Sequence, residues 1–339
     1  MCIRDSYGAV RGFLAGSAFD HVLYCEEAPL IVAESEDPDL RAAIGSLAMY
    51  GHFFAGDGRK MLAWSDRILA EVGSDNQRGK AITGFSARAA AFHGRFSAML
   101  YLGRLDEARE QFADAERAAT EEMEVLGWLL IVSAWLAYTA GSSASASDHG
   151  SRCLDIAERL DNEFSRAMGY FAIGTIHLID AHPIAAREAL LTSAAIIRGR
   201  HTSVEFLPQV LAVLAEAHLV LGERTEALAA AREAVDRGRM GGARYAEAHA
   251  HLALAQILLT SEGDIPRALI ETALDRAEEL VAWIEGLSLS PRVLELRGRL
   301  SAALGDDLAA TRSFGKALEL YHSIGAAGHT ERLARELAP

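Results

Sequence analysis

The sequence predicts an all-α fold, a right-handed superhelical stack of about seven helical hairpins. Three observations lead there. A helix–turn–helix figure recurs with turns at residues 56, 103, 141, 181, 222, 263 and 305, so that the intervals are 47, 38, 40, 41, 41 and 42 residues. No stretch of useful length alternates apolar and polar residues as a half-buried strand would. Pro183, Pro266 and Pro291 each fall at the start of a predicted helix, where a missing N–H costs nothing.

Taken in order, Met1 to Ser6 (MCIRDS) read as the in-frame translation of a sequencing adapter. They are set outside the fold, and the native start is expected further upstream. Residues 7–35 are apolar and helix-compatible but lack the repeat figure, and read as a truncated helical segment. Residues 36–338 form the repeat domain. Its first hairpin is predicted to start at Asp37-Pro38, run to Ala55, turn at Gly56-Asp57-Gly58 and end near Val72.

The stretch from Leu221 to Val235 shows the figure most plainly. Gly222 ends one helix in the left-handed conformation that only glycine adopts without steric cost. Glu223 and Glu226 then meet the positive end of the next helix dipole. Ala227, Ala231 and Ala234 leave room for a partner helix to approach. Gly103 leads likewise to Ala108, Phe112 and Ala115; Gly141 to Ala146 and Cys153; Ala181 to Ala186; and Gly305 to Ala310, Phe314 and Ala317.

Composition narrows the partners. Half of the 339 residues are hydrophobic, and the formal charge is −14 with a pI near 5.3. Such a surface repels phosphates, so neither nucleic acid nor membrane is an expected partner. Cys2, Cys25 and Cys153 are too scattered for a disulfide framework and point to a reducing, cytoplasmic setting. Val125 to Ala140 carries no charge, but sixteen residues fall short of the roughly 20 of a spanning helix, so it reads as a buried helix of the array.

The turn figure resembles the tetratricopeptide (TPR) repeat. Ala134, Gly174, Ala215 and Gly298 each lie twelve residues before the second-helix alanine of their own hairpin, where that repeat places a small residue. The period near forty exceeds the roughly 34 of a standard TPR, and the proline that usually closes the second helix is missing. Leu304-Gly305-Asp306-Asp307, Ala317 to Tyr321 and Gly325 to Leu337 are similar to the closing segment of bacterial class III adenylate/guanylate cyclase regulators. In that family a cyclase domain and a P-loop ATPase precede a long TPR-like tail. The resemblance covers residues 36–338 and implies a sensory or regulatory tail whose partners are the upstream domains. Two alternatives stay open: the tail of a LuxR/MalT-type ATPase regulator, and a free-standing TPR adaptor that binds a protein or peptide in its concave groove.

No chemistry-bearing constellation emerges, so no enzyme activity, cofactor, catalytic residue or metal ligand is expected. Gly56-Asp-Gly58-Arg-Lys60-Met61 has wrongly spaced glycines for a phosphate loop, and Met61 stands where the hydroxyl for Mg²⁺ is needed. His249 and His251, two apart on a helix, face different sides. His177 and His182 lack Cys or acidic co-ligands. Paired acids such as Glu121-Glu122 and Asp306-Asp307 read as solvated caps. Binding is expected on the first helices of the hairpins, where Tyr50, Phe54, His93, Tyr101, Trp128, Trp135, Tyr138 and Phe171 face inward, with Phe53 and Met168 beside them. Arg292, Glu295 and Arg299 give the C-terminal part of the groove a charged character.

Overall fold

The computed structural model describes residues 35–144, 146–260 and 266–338. The expectations for Met1 to Ser6, for residues 7–34 and for the turn at Gly263 lie outside the described residues. Within them every regular element is a helix. The hairpins are α1 (Pro38–Ala55) with α2 (Gly58–Val72); a short α3 (Lys80–Thr83); α4 (Ala87–Tyr101) with α5 (Leu105–Ala119); α6 (Met123–Ala140) with α7 (His149–Leu160); and α8 (Glu163–Ile179) with α9 (Pro183–Arg200). A 3₁₀ turn (Val204–Phe206) precedes α10 (Leu207–Val220) with α11 (Arg224–Gly241), α12 (Arg244–Leu259) with α13 (Arg267–Ile284), and α14 (Ser290–Ala303) with α15 (Asp307–Ser323); α16 (Ala327–Leu337) closes the described chain. These are the seven hairpins of an all-α superhelical repeat.

The boundaries follow from local chemistry. The Asp37 carboxylate accepts the Asp39 and Leu40 amides, Pro38 opens α1, and Gly56 ends it at φ +81°. Gly103, Gly141, Gly222 and Gly305 repeat that left-handed turn at φ +72° to +79°, and Ala181 takes it at φ +59° where the sequence offers no glycine. The small residues on the first helices do what their spacing implies. A methyl group at Gly174 would lie 2.6 Å from Leu190 Cγ, and one at Gly298 would lie 2.7 Å from the Phe314 ring. Ala134, Ala215, Ala146 and Ala227 are buried. Helix α6, apolar enough by composition to cross a membrane, is instead interior, with 13 of its 18 residues buried in the fold.

The array closes on itself. The turn of the first hairpin sits on the start of α12: a methyl at Gly56 would lie 3.0 Å from the Tyr245 amide nitrogen. The second turn meets the start of α14, where the Ser288 hydroxyl donates to the Tyr101 carbonyl at 3.2 Å. Leu105 N–H donates to the Ile324 carbonyl at 3.2 Å. The third turn meets α16: a methyl at Gly328 would lie 2.0 Å from the Gly141 carbonyl oxygen, and His329 Nε2 is 3.1 Å from the Tyr138 carbonyl. The first three turns thus rest in succession on the starts of α12, α14 and α16. The seam this makes runs from the first hairpin to the end of the chain.

The ladder of first helices loosens at one step. Helices α8 and α10 barely touch, and the segment between α9 and α10 fills the gap. His201 and Ser203 hold φ at +52° and +54° there, which turns Phe206 inward against Phe53, Phe54 and Phe164, with ring centroids 5.7–6.0 Å apart.

Candidate ligand-binding cleft

Phe206 forms one end of an apolar cleft of about 380 Å³ on the inner side of hairpins one to four. Helix periodicity sets the walls. Tyr50 and Phe54 share a face of α1; Glu124, Trp128, Ile131 and Val132 recur at i, i+4, i+7 and i+8 on α6; Phe164 and Met168 are one turn apart on α8. The loop after α3 adds Thr83 and Phe85, and Thr202 comes from the segment that carries Phe206.

Three partly exposed rings define a corner of this cleft. Tyr50 and Phe85 meet edge to face at 6.1 Å, Tyr50 and Trp128 at 5.6 Å, and Phe85 and Trp128 at 5.3 Å, all near perpendicular. Such pairings are stabilising beyond their area because ring edges meet ring faces. His93 lies behind them with Nδ1 3.3 Å from the Tyr50 hydroxyl. Burial holds its imidazole neutral by lowering its pKa to about 3. The His93 Nε2 and Trp128 Nε1 atoms are covered by neighbouring groups and make no hydrogen bond. The carboxyl of Glu124 stands at the same wall, half-buried, and burial raises its pKa. Its negative charge reaches Tyr50, where it adds to the effect of burial in raising the phenol pKa.

Of the residues expected to bind a partner, Tyr50, Phe54, His93 and Trp128 line this cleft. Tyr101, Trp135, Tyr138 and Phe171 do not. The expected open groove is closed there by hairpins five to seven. Tyr101 stacks on Tyr245 at 4.2 Å, and Trp135 stacks on Tyr138 at 4.7 Å and donates Nε1–H to the Tyr245 hydroxyl at 3.4 Å. Phe171 is buried against Trp135. Met168 reaches the cleft, as does Phe53.

Of the charged positions, Arg292 and Glu295 are also internal, and Arg299 is partly exposed. The Tyr138 hydroxyl donates to Glu216 at 2.5 Å; Arg292 bridges Glu216 at 2.5 Å, Gln256 at 2.6 Å and the Tyr138 oxygen at 2.7 Å. Burial alone would favour the neutral acid, but the Arg292 charge and the bonds from His249 and Tyr138 hold the Glu216 pKa down to about 2. Glu295 is likewise held to about 2 against burial, by bonds from Arg332 and Arg299, and accepts the Tyr321 hydroxyl at 2.9 Å. The Arg292 network ties α14 to α6, α10 and α12, and Glu295 and Arg299 clasp α16 through Arg332 and Glu336; neither set is a charged stretch of groove. His249 belongs to the first network and has no metal-like company, since no three His, Cys, Asp or Glu converge among the described residues. Cys153 is buried, and burial pushes its thiol up to about 12.

Sequence reasoning missed Phe85, Glu124, Phe164 and Phe206. Phe85 and Phe206 sit in connecting segments, outside the hairpin register. Glu124 carried a usable signal: a lone acid four residues before Trp128 on an otherwise apolar helix.

No family model and no curated protein sequence matches the chain. Among solved structures it is similar to a Rap protein complexed with Competence and Sporulation Factor, at 16% identity and a TM-score of 0.64, over 98% of this chain and 94% of that one. The apo form of RapI follows at 13% identity and a TM-score of 0.43, over 97% of this chain and 99% of that one. A tetratricopeptide repeat protein from Parabacteroides merdae matches at 12% and 0.41, over 83% and 96%. At such identities the first likeness speaks to fold alone. Together with the glycine turns and the small residues between paired helices, it makes the chain a TPR-like helical repeat that curls into a closed superhelix.

Proposed function

We propose that the chain is a non-catalytic binding scaffold whose cleft between the first four hairpins and Phe206 takes an apolar small ligand or the apolar side chains of a short peptide. The cleft itself carries the reading. It is about 380 Å³, within the usual range of ligand pockets, and its walls are aromatic with one carboxyl. The Rap protein of similar fold was solved with a bound factor, which supports a binding role for an array of this kind. The resemblance of residues 36–338 to cyclase regulator tails supports a finer reading: a cytoplasmic sensory portion of a larger signalling protein. DNA sequence upstream of the segment encoding Tyr7 tests that part, and a continuous frame without cyclase or P-loop motifs would remove it.

A thermal-shift screen of apolar peptides and small aromatic amphiphiles tests the cleft. The expected result is a rise in Tm that Phe206→Ala abolishes. Equal shifts in wild type and variant, or none with any class, would count against it.

A further inference from the structure

Within that reading of the cleft as a binding site, we propose that it selects an organic cation: an ammonium group carried on an apolar, preferably aromatic, body. Two independent features point to this ligand. The first is the ring corner. Tyr50, Phe85 and Trp128 meet pairwise at 78–90°, so they present surfaces in different directions around one region of the cleft. Ring faces are negative, and an ammonium within about 6 Å of several of them gains attraction without a hydrogen bond. Trp gives the strongest such contact, and here Trp128 meets both other rings.

The second feature is the carboxyl beside the corner. Glu124 lies one turn before Trp128, so both reach the cleft from one face of α6. Two other acids nearby have cations at hand: half-buried Glu116 meets Arg152 at 2.5 Å, and buried Glu122 meets Lys80 at 2.8 Å. Glu124 makes no ion pair among the described residues. The other titratable groups lining the cleft are the Tyr50 phenol, which feels its charge, and the His93 imidazole, both uncharged at neutral pH. A carboxyl in an apolar wall without a protein cation is unsatisfied electrostatically, and a ligand cation supplies what is missing. The net charge of −14 adds a long-range pull on cations. An anionic ligand would meet Glu124 at close range, and a neutral one would leave both features without effect.

Three probes share one body and differ in charge: 4-phenylbutylamine, 4-phenylbutanol and 4-phenylbutyrate. Isothermal titration of the full chain at neutral pH is expected to give the amine about tenfold tighter binding than the alcohol, with the butyrate weakest. Glu124→Gln keeps the shape and removes the charge. It is expected to narrow the gap between amine and alcohol while leaving alcohol binding unchanged, with the CD spectrum preserved. Trp128→Leu is expected to weaken the amine more than the alcohol. Equal binding of amine and alcohol by wild type would overturn cation selection yet leave an apolar cleft. Binding of none of the three, with no shift in the broader screen, would overturn both.

Discussion

Replacing Arg292 with methionine tests what holds the superhelix closed. Arg292 on α14 and Glu216 on α10 are 18% and 10% exposed, and their 2.5 Å contact is supplemented by Tyr138 from α6 and Gln256 from α12. Four hairpins therefore meet at one guanidinium. Removing it leaves the Glu216 carboxylate buried with only the Tyr138 hydroxyl and the His249 ring to neutralise it. Breaking a buried pair from one side typically costs about 3–5 kcal/mol, because the orphaned charge keeps its desolvation penalty. That is a large share of the about 5–15 kcal/mol that holds an ordinary domain folded. Methionine preserves most of the side-chain volume, so little of the loss comes from a cavity. Urea unfolding followed by far-UV CD is expected to show a marked drop in midpoint. The double change Arg292→Met with Glu216→Leu is expected to recover more than half of it, since it leaves no unpaired ion. The pH dependence has a fixed sign. The Glu216 pKa is held to about 2, below its unfolded value, so the contribution is present above the ordinary carboxylate range near about 4.3 and is lost as pH falls toward 2. A loss below about 1 kcal/mol in Arg292→Met would refute the reasoning, because it would mean that Glu216 is solvated in the folded protein.

Other expectations follow from the same packing. Both Glu205 oxygens are buried without a hydrogen bond, and burial raises the pKa to about 8. The folded state therefore holds a proton that the unfolded state releases above about 4.3, so stability falls as pH rises toward 8; Glu205→Gln should flatten that slope and raise Tm at pH 8. Gly328→Ala is favoured by helix propensity by about 1 kcal/mol, but its methyl would meet the Gly141 backbone at 2.0 Å. The clash is with backbone and wins, so limited proteolysis should release the C-terminal segment faster than in wild type. In a Cys2→Ser, Cys25→Ser background, Cys153 should react with a thiol reagent at pH 8 only as fast as the chain unfolds, because its sulfur is buried and its thiolate disfavoured; rapid labelling of folded protein would contradict this.

The hairpin architecture was legible because its signals are local. Gly103, Gly141, Gly222 and Gly305 end helices through backbone conformation, and Gly174 and Gly298 mark close approaches within a hairpin. None of that depends on distant residues. The closure was not legible, because it joins Gly56 to Tyr245 and Gly141 to Gly328, and a forty-residue period says nothing of the angle between successive hairpins. The same ignorance split the expected binding residues. Tyr50 and Trp135 look alike as inward aromatics, but Trp135 lies where hairpin six crosses and Tyr50 lines the cleft that Phe206 closes at one end. Phe206 entered the cleft through two left-handed residues, His201 and Ser203, which no residue preference announces.

A cross-link across the seam tests the closed array most directly. Arg59 at the start of α2 and Glu285 after α13 form an exposed ion pair between hairpins one and six. Arg59→Cys and Glu285→Cys, placed in a background without the three native cysteines, should be joined rapidly and within one molecule by a short bismaleimide. The joined protein should melt at a higher temperature than its unlinked form. Slow or absent linkage, while a control pair across the α1–α2 turn links at once, would contradict closure and return Tyr101, Trp135 and Tyr138 to an open groove.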